Sequence, residues 1–451
     1  MNAIERKTAI SLALIYATRM LGLFMILPVF AIYAENLDQV TPLLVGVAIG
    51  VYGLTQALFQ IPFGAWSDRV GRKPVIVIGL CIFLLGSIVA AASNSIYGVI
   101  IGRALQGMGA IASVIMALAS DLTREEHRTK VMAIIGASIG ASFMLALILG
   151  PILEGWFGVD GIFWLTALLA VLSIAILMLL IPTPMQTINH ATLDRATFRT
   201  VISDVHLLRL DLGVFILHMV LTAIFVVIPL ILRDQFTLAT QSHWQIYLSV
   251  MLISLVLLVP VIIISEKLAK TKLAFLFAIG LCAFSHLIMF AQPQALSGLF
   301  IALTMFFWGF NLLEASMPSQ VSKLSDPVSK GLSMGVFSSS QFLGAFAGGV
   351  VAGAIVQNFG HNGVFLFAFV MFLLWFLVAL SMSSPVSYKT LTVDLKNIAL
   401  QQRADFLQRC HGLPGVADIT VISEQQVAYI KTDKALFKTK KFNQLQIDFM
   451  G

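Results

Sequence analysis

The chain is written as long apolar runs separated by short polar breaks. A run of about 20 apolar residues crosses a bilayer as a helix. Runs of that order occupy 8–34, 43–65, 74–93, 97–121, 131–153, 161–182, 211–232, 244–265, 272–291, 297–320, 331–357 and 361–382. The pattern therefore predicts an all-α membrane protein of about twelve spans. The longest break, 183–210, is polar, carries Arg195, Arg199 and Arg209, and divides the spans six and six. The pattern predicts one six-helix half at 1–182, a linker at 183–210, a second half at 211–385 and a soluble domain at 386–451.

In that last segment the period changes. Leu391, Val393 and Leu395 alternate as in a strand, then Leu400, Ala404 and Leu407 share a helical face. Gly412, Pro414 and Gly415 break the chain. Strand-like runs at 416–422 and 426–432, a helix near 434–443 and a strand near 444–449 complete the order. That β-α-β-β-α-β order predicts a small ferredoxin-like α+β domain. Within the membrane part, the halves read as a duplicated unit. Leu27-Pro28 answers to Ile228-Pro229, and Gly98 and Gly109 answer to Gly298 and Gly309. A repeat of this kind places a substrate path between the halves, near mid-membrane.

Composition narrows the class. Of 451 residues, 59% are hydrophobic and 11% charged, about half the charged share of a soluble protein. The net charge of +6 reads as basic cytoplasmic loops rather than a nucleic-acid surface, since no basic stripe with interleaved aromatics occurs. Arg6 and Lys7, then Arg69, Arg72 and Lys73, then Arg124, Arg128 and Lys130, occupy alternate loops. Lys267, Lys270 and Lys272, with Lys323 and Lys330, continue the series, and Arg233 is the exception. Both termini are expected on the cytoplasmic side of a bacterial inner membrane. Cys81, Cys282 and Cys410 are isolated, so neither a metal cluster nor a disulfide framework is expected. No catalytic triad spacing or phosphate loop stands out, so no enzyme and no cofactor is implied.

The sharpest local signal is Gly64-Ala65-Trp66-Ser67-Asp68-Arg69-Val70-Gly71-Arg72-Lys73, between spans 2 and 3. It resembles the major facilitator signature G-x-x-x-D-R-x-G-R-K. A basic loop accounts for Arg69, Arg72 and Lys73 but not for Gly64, Gly71 or Asp68. Gly64 is expected to let a neighbouring helix approach, and Asp68 to attract a helix N-terminus or a basic side chain at a helix end. Asp121, at the end of span 4, is a second acid suited to that cluster. Contacts of this kind bias a two-state equilibrium without touching substrate.

Three further elements extend the resemblance. Arg103, Gln106 and Gly107 in span 4 resemble the family's R-x-x-Q-G and share a face with Ala110. A membrane-embedded Arg faces protein or water, so Arg103 either bonds neighbouring backbone or takes part in proton coupling or binding. Gly150 and Pro151, with Gly155, keep part of the G-P-x-x-G-G helix bend of drug–proton antiporters, while Ala146 and Glu154 replace its glycines. Gly136, Gly140, Gly344, Gly348, Gly349 and Gly353 read as helix-packing surfaces. Arg19 stands in span 1, where such antiporters often carry an acid, which moves any proton site elsewhere. Glu314, with Asn311 one turn earlier and Pro318 one turn later, is then the expected carrier, and His218 and His286 are weaker candidates.

The resemblance covers about 8–382 and implies a proton-coupled exporter of small amphipathic compounds in a lipid bilayer, by alternating access. A nutrient symporter and a sensor gated through the C-terminal domain share the same features. That domain resembles heavy-metal-binding modules, but Lys396-Asn397-Ile398-Ala399 stands where those carry C-x-x-C. A cytoplasmic ligand or the transporter core is the expected partner instead.

Overall fold

The computed structural model describes residues 1, 3–183, 195–268, 270–291, 295–325, 329–382, 388–395, 398, 402–422, 427–433, 437, 442, 444, 445 and 449. Two compact units result: Met1–Leu258 with Leu276–Met382, and Val259–Phe275 with Ser383–Gly451.

The first unit is helical. Its elements begin with α1 Ala3–Phe24, the single turn α2 Phe30–Tyr33, α3 Pro42–Val70, α4 Arg72–Ala91, α5 Ile96–Met108, α6 Ala112–Asp121 and α7 Glu125–Leu180. After the linker come α8 Arg195–Ser203, α9 Val205–Asp234, α10 His243–Lys267, α11 Thr271–Phe290, α12 Leu296–Leu324 and α13 Lys330–Leu380; the end of α10 and the start of α11 are counted with the second unit. Local chemistry sets several of the boundaries. Thr41 Oγ1 accepts from Leu44 N at 3.2 Å and Pro42 opens α3, a site where its missing N–H is harmless. Asp204 caps α9 by accepting from His206 N at 2.7 Å and Leu207 N at 3.3 Å.

Among the described residues, ten segments are long and apolar enough to cross a membrane. Two of them, Lys130–Leu180 and Lys330–Leu380, have 51 residues each, roughly 75 Å of helix against a hydrocarbon core of about 30 Å. Each is interrupted by one glycine: Gly158 at φ 66 and ψ 177, and Gly360 at φ 72 and ψ −175. Positive φ suits glycine, so one residue makes the turn where a short loop is expected from sequence. That the break is the same in both places strengthens the duplication. So does the packing of Gly109 on Gly79 O of α4 and of Gly309 on Ala278 O of α11, where an added Cβ would stand 2.3 and 2.7 Å away.

Two expectations change. Span 4 is not one helix: α5 ends at Met108, and Gly109–Ile111 separate it from α6, so Ala110 lies off the helix. The close approach of Gly79 to this point leaves the chain no room to continue straight. The helix α7 runs on through Gly150 and Pro151 to the turn at Gly158; Pro151 removes a single backbone bond while keeping a helical φ. The chain leaves the helix at residues 25–29, around Leu27-Pro28, and Gly150 packs against the carbonyl of Met25. In contrast, α9 passes through Pro229 unbroken. Finally, Gly136 and Gly140 meet nothing within 4 Å, so they pack no helix.

In the second unit, β1 Tyr388–Asp394, α14 Arg403–His411, β2 Val416–Ile422 and β3 Val427–Asp433 follow in sequence. The strands form an antiparallel sheet in the order β1-β3-β2. Its core is Val393, Leu395, Ile398, Phe406, Cys410, Ala428, Ile430 and Phe442. Most of the helix expected at 434–443, and Leu400, lie outside the described residues. The strand expected at 444–449 is not found: Phe442, Gln444, Leu445 and Phe449 are helical where described. Phe442, Leu445 and Phe449 recur at i, i+3 and i+7, which puts them on one helical face, and all three pack on the core. Phe449 meets Phe406 at 5.5 Å and lies under Arg409.

Burial lifts the Cys410 thiol to about 11, and the thiolate is the reactive form. In a chain whose other cysteines are replaced by serine, Cys410 is expected to alkylate at pH 7 at least about tenfold slower than after denaturation. Equal rates in mass-spectrometric time courses would contradict this packing.

Candidate functional site

The residues that can act lie in four clusters along the first unit. At one end, the main chains of α3 and α13 touch. A Cβ on Gly46 would stand 1.9 Å from Gly349 O, one on Gly53 2.4 Å from Phe342 O, and one on Gly353 2.5 Å from Pro42 O. Such approach is possible only without side chains. Gly344 and Gly348 press equally on Phe215 O and Met219 O of α9. The same end carries an ion pair across the halves. Arg233 at the end of α9 grips Glu35 with both terminal nitrogens, at 2.6 and 2.9 Å, and also holds Asp234. A bidentate pair of this kind fixes geometry as well as charge. Beside it Tyr33 donates to Asp160 at 2.5 Å, and burial together with that bond raises the phenol above its ordinary value.

The second cluster is the 64–73 loop, at the opposite end of α3. Gly71 sits at φ 104 and lets α3 turn directly into α4. Arg72 is the hub: it pairs with Asp68 at 2.5 Å and Asp121 at 3.0 Å, and donates to Ser67 Oγ at 2.6 Å. Lys73 donates to Ile181 O at 2.7 Å just beyond α7, where a cation suits the helix dipole. Arg69 is exposed. Gly64 corrects its expectation: an added Cβ would meet Ser113 Oγ at 3.4 Å, an ordinary contact, so no tight approach requires it. Toward this end Gly331 and Gly335 of α13 also face open space.

The third cluster fills the interior of the first half. Arg103 is 1% exposed, donates to Ala48 O, Ile49 O and Gln106 Oε1, and lies 5.2 Å from the Tyr52 ring centroid. Gln106 passes the chain on to Ser87 Oγ at 2.8 Å. Gly107 admits Tyr52 O, which an added Cβ would meet at 2.2 Å. Arg19 is 2% exposed and donates to Gln56 Oε1 at 2.6 Å. Gln56 in turn donates to Gln60.

The fourth cluster lies in the second half. Glu314 on α12 stands 3.8 Å from His218 Nε2 on α9, and Gln341 Nε2 on α13 reaches both, His218 at 2.7 Å and Glu314 at 3.5 Å. The Glu314 side chain is 38% exposed, so it is not sealed within the packed interior. His218 Nδ1 lies 3.2 Å from Val214 O. That bond makes Nδ1 the donor and leaves Nε2 to accept from Gln341, the tautomer the network dictates. Asn311 does not join; it donates to Ser254 of α10. His286 is fully buried among Phe306 and Phe372, a packed residue.

Sequence reasoning missed Glu35, Tyr52, Gln56 and Gln341. The three polar residues inside spans were visible as rare polar side chains in apolar helices. Glu35 became informative only once Arg233 was seen to cross the halves.

The Major Facilitator Superfamily model matches residues 12–330 and 210–394. The chain is 41% identical over 432 residues to the inner membrane transport protein YajR of Escherichia coli K12, covering 95% of this chain and 94% of that protein. It is 32% identical over 114 residues to the class E tetracycline resistance protein of Escherichia coli, covering 25% of this chain and 27% of that protein. Among solved structures, a bacterial homologue of the human lysosomal transporter Spinster, captured inward-facing and unoccupied, superposes with a TM-score of 0.68 at 14% identity. That match covers 84% of this chain and 98% of the other.

The α3–α13 seam yields a direct test. Gly46→Val forces a branched side chain onto the Gly349 carbonyl, and overpacking costs about 1–3 kcal/mol. The closed end is therefore expected to open by about tenfold in population. Spin labels at Gln39 and Asn358, read by pulsed electron resonance, should gain a longer distance; an unchanged distribution would refute the seam.

Proposed function

This chain belongs to the Major Facilitator Superfamily, and from that premise we propose that it is a proton-coupled secondary transporter exporting small amphipathic compounds by alternating access. As a member it is a multi-pass membrane transporter rather than an enzyme. The observation that carries the coupling reading is the Glu314–His218–Gln341 cluster. It joins three helices of the second half around one partly exposed carboxylate.

The proton logic follows from donor and acceptor roles. With His218 neutral, Nε2 accepts from Gln341. A proton on His218 turns Nε2 into a donor, so the Gln341 amide must turn, and Glu314 becomes the natural acceptor 3.8 Å away. A proton on Glu314 instead leaves the histidine bond intact. An ionised acid within a span costs roughly 2.5–3.5 kcal/mol on insertion scales, so loading and unloading the proton changes which side of the membrane the cluster favours facing.

The export direction rests on the partial Gly150-Pro151 element and on the tetracycline resistance relative. The closed seam at the Glu35–Arg233 end and the open glycines at the other correspond, on this reading, to a cytoplasm-facing state with both termini cytoplasmic. Asp68, Arg69, Arg72, Lys73 and Asp121 then form the switch whose contacts change when that end closes, within the framework of Gly64 and Gly71. The halves are 1–182 and 211–385, joined by 183–210. The C-terminal unit is read as a variant built on the first four elements of the ferredoxin-like order, serving to bind a cytoplasmic ligand or the transporter core.

Two variants test the reading in sealed vesicles. Glu314→Gln is expected to fold and bind substrate yet fail to accumulate it against a gradient, at least about tenfold down. Uphill transport with unchanged pH dependence would exclude Glu314 as the carrier. Asp68→Asn removes one charge from the Arg72 hub, and is expected to shift the balance between the open and closed arrangements of the loop end and slow transport several-fold. Identical labelling of that end in variant and parent would rule out the switch.

A further inference from the structure

Arg19 is a buried cation whose donors are not all met by acceptors. Its guanidinium is always protonated, lies within a membrane-crossing helix and is 2% exposed. Among the described residues no carboxylate pairs with it. Its hydrogen bond goes to a neutral amide, Gln56 Oε1 at 2.6 Å. Nε and Nη1 are buried with no acceptor, and the hydroxyl of the adjacent Tyr52 is in the same condition. The faces of the group lie against the Tyr52 and Phe83 rings, at 5.8 and 5.6 Å from their centroids.

Arg103 supplies the contrast. It lies over the same Tyr52 ring, but its nitrogens are engaged by two carbonyls and Gln106. It therefore has the environment of a structural cation, whereas Arg19 keeps donors in reserve. Donors left without acceptors inside a protein are expensive, and they mark a place where an acceptor belongs. Ring contacts soften the desolvation of a cation but provide no acceptor to its N–H groups.

We propose that Arg19 is the anion-recognition residue of the transport path, taking the carboxylate of an amphiphilic organic anion with the Tyr52 hydroxyl as second donor. The proposal deepens the exporter reading and rests on it only for the word transport. A carboxylate fits for two reasons. Its two coplanar oxygens match a guanidinium fork, and one negative charge answers a buried cation whose Nε and Nη1 lack acceptors among the described residues. The position also suits access. The Tyr52 ring meets Phe342 of α13 at 6.4 Å, so the site lies one ring behind the surface where the halves meet. Separation of α13 from α3 would uncover it.

The test is a binding measurement on the full chain in detergent micelles, which needs no gradient and so stands apart from any failure of coupling. Thermal unfolding is followed against 2-naphthoate, its neutral amide 2-naphthamide, and chloride at matched ionic strength. Naphthoate is expected to raise the melting temperature saturably, while the amide and chloride do not. Arg19→Gln is expected to weaken the naphthoate effect at least tenfold. Arg19→Lys, which keeps the charge and the fold but lacks the fork, is expected to weaken it by a smaller factor. Protection of Arg19→Gln equal to that of the parent would overturn the proposal. So would equal protection by the amide, or no protection of the parent. Chloride matching naphthoate would reassign the site to a small inorganic anion and likewise overturn it. Should Arg19→Gln fail to fold, an unaltered affinity in Arg19→Lys overturns the proposal on its own.

Discussion

The arrangement of the membrane unit depends on main chain meeting main chain along α3 and α13. The carbonyls of Gly46 and Gly349 each occupy the space a Cβ on the other would need, and Gly50, Gly53 and Gly353 extend the contact. In lipid no hydrophobic force draws helices together, so close van der Waals packing has to do it. Because the packing is that close, it exists fully or not at all; a Cβ-sized gap forfeits it. That all-or-none quality makes one end of the unit a closed surface. The Glu35–Arg233 pair is placed where that surface meets water. Being half-exposed, it adds registration more than stability.

Charge is distributed unequally over the two halves. The first half holds Arg19 and Arg103 in its interior, both around Tyr52. The second holds a carboxylate, Glu314, whose partners His218 and Gln341 are neutral in the tautomer the hydrogen bonds dictate. A permanently charged guanidinium cannot carry protons at working pH. A carboxylate beside an imidazole can. On the proposed reading, the chemistry of the residues separates anion recognition and proton handling onto opposite sides of the interface between halves.

Much of this was legible in the residues, and what was not has specific causes. The spans, the 64–73 loop and the Asp121 partner could be read because hydrophobic length and charge spacing are local properties. The turns at Gly158 and Gly360 could not, since one glycine in an apolar run looks like any other until its φ is known. The strand expected at 444–449 failed because Leu445 and Phe449 satisfy an alternating pattern as well as a helical one, and packing against Phe406 decided for the helix. Gly64 was given a packing role that belongs to Gly46, Gly50 and Gly53 on the same helix. The place of Arg19 within an apolar span is likewise a local property of the sequence. That it lacks a partner was a fact about three-dimensional neighbours, invisible in one dimension.

The helix α3 connects these observations mechanically. It carries Gly46 and Gly53 in the seam, Tyr52 and Gln56 against Arg19, and Asp68 and Ser67 in the loop cluster. Its 29 residues span roughly 43 Å as a helix, so the seam and the loop stand at opposite ends of one rod. A rod that leans cannot close both ends on α13 together. Linkage then makes the ends compete: whatever stabilises the seam opposes closure at the loop by the same free energy. An acceptor bound at Arg19 enters this competition from the middle of the rod, through Gln56 and the ring of Tyr52. Its effect depends on whether Phe342 is still pressed against that ring, because only differential affinity for the two arrangements can shift their balance. Buried donors on a helix that takes part in both closures are thus positioned to report occupancy to each end, without any residue needing to touch both.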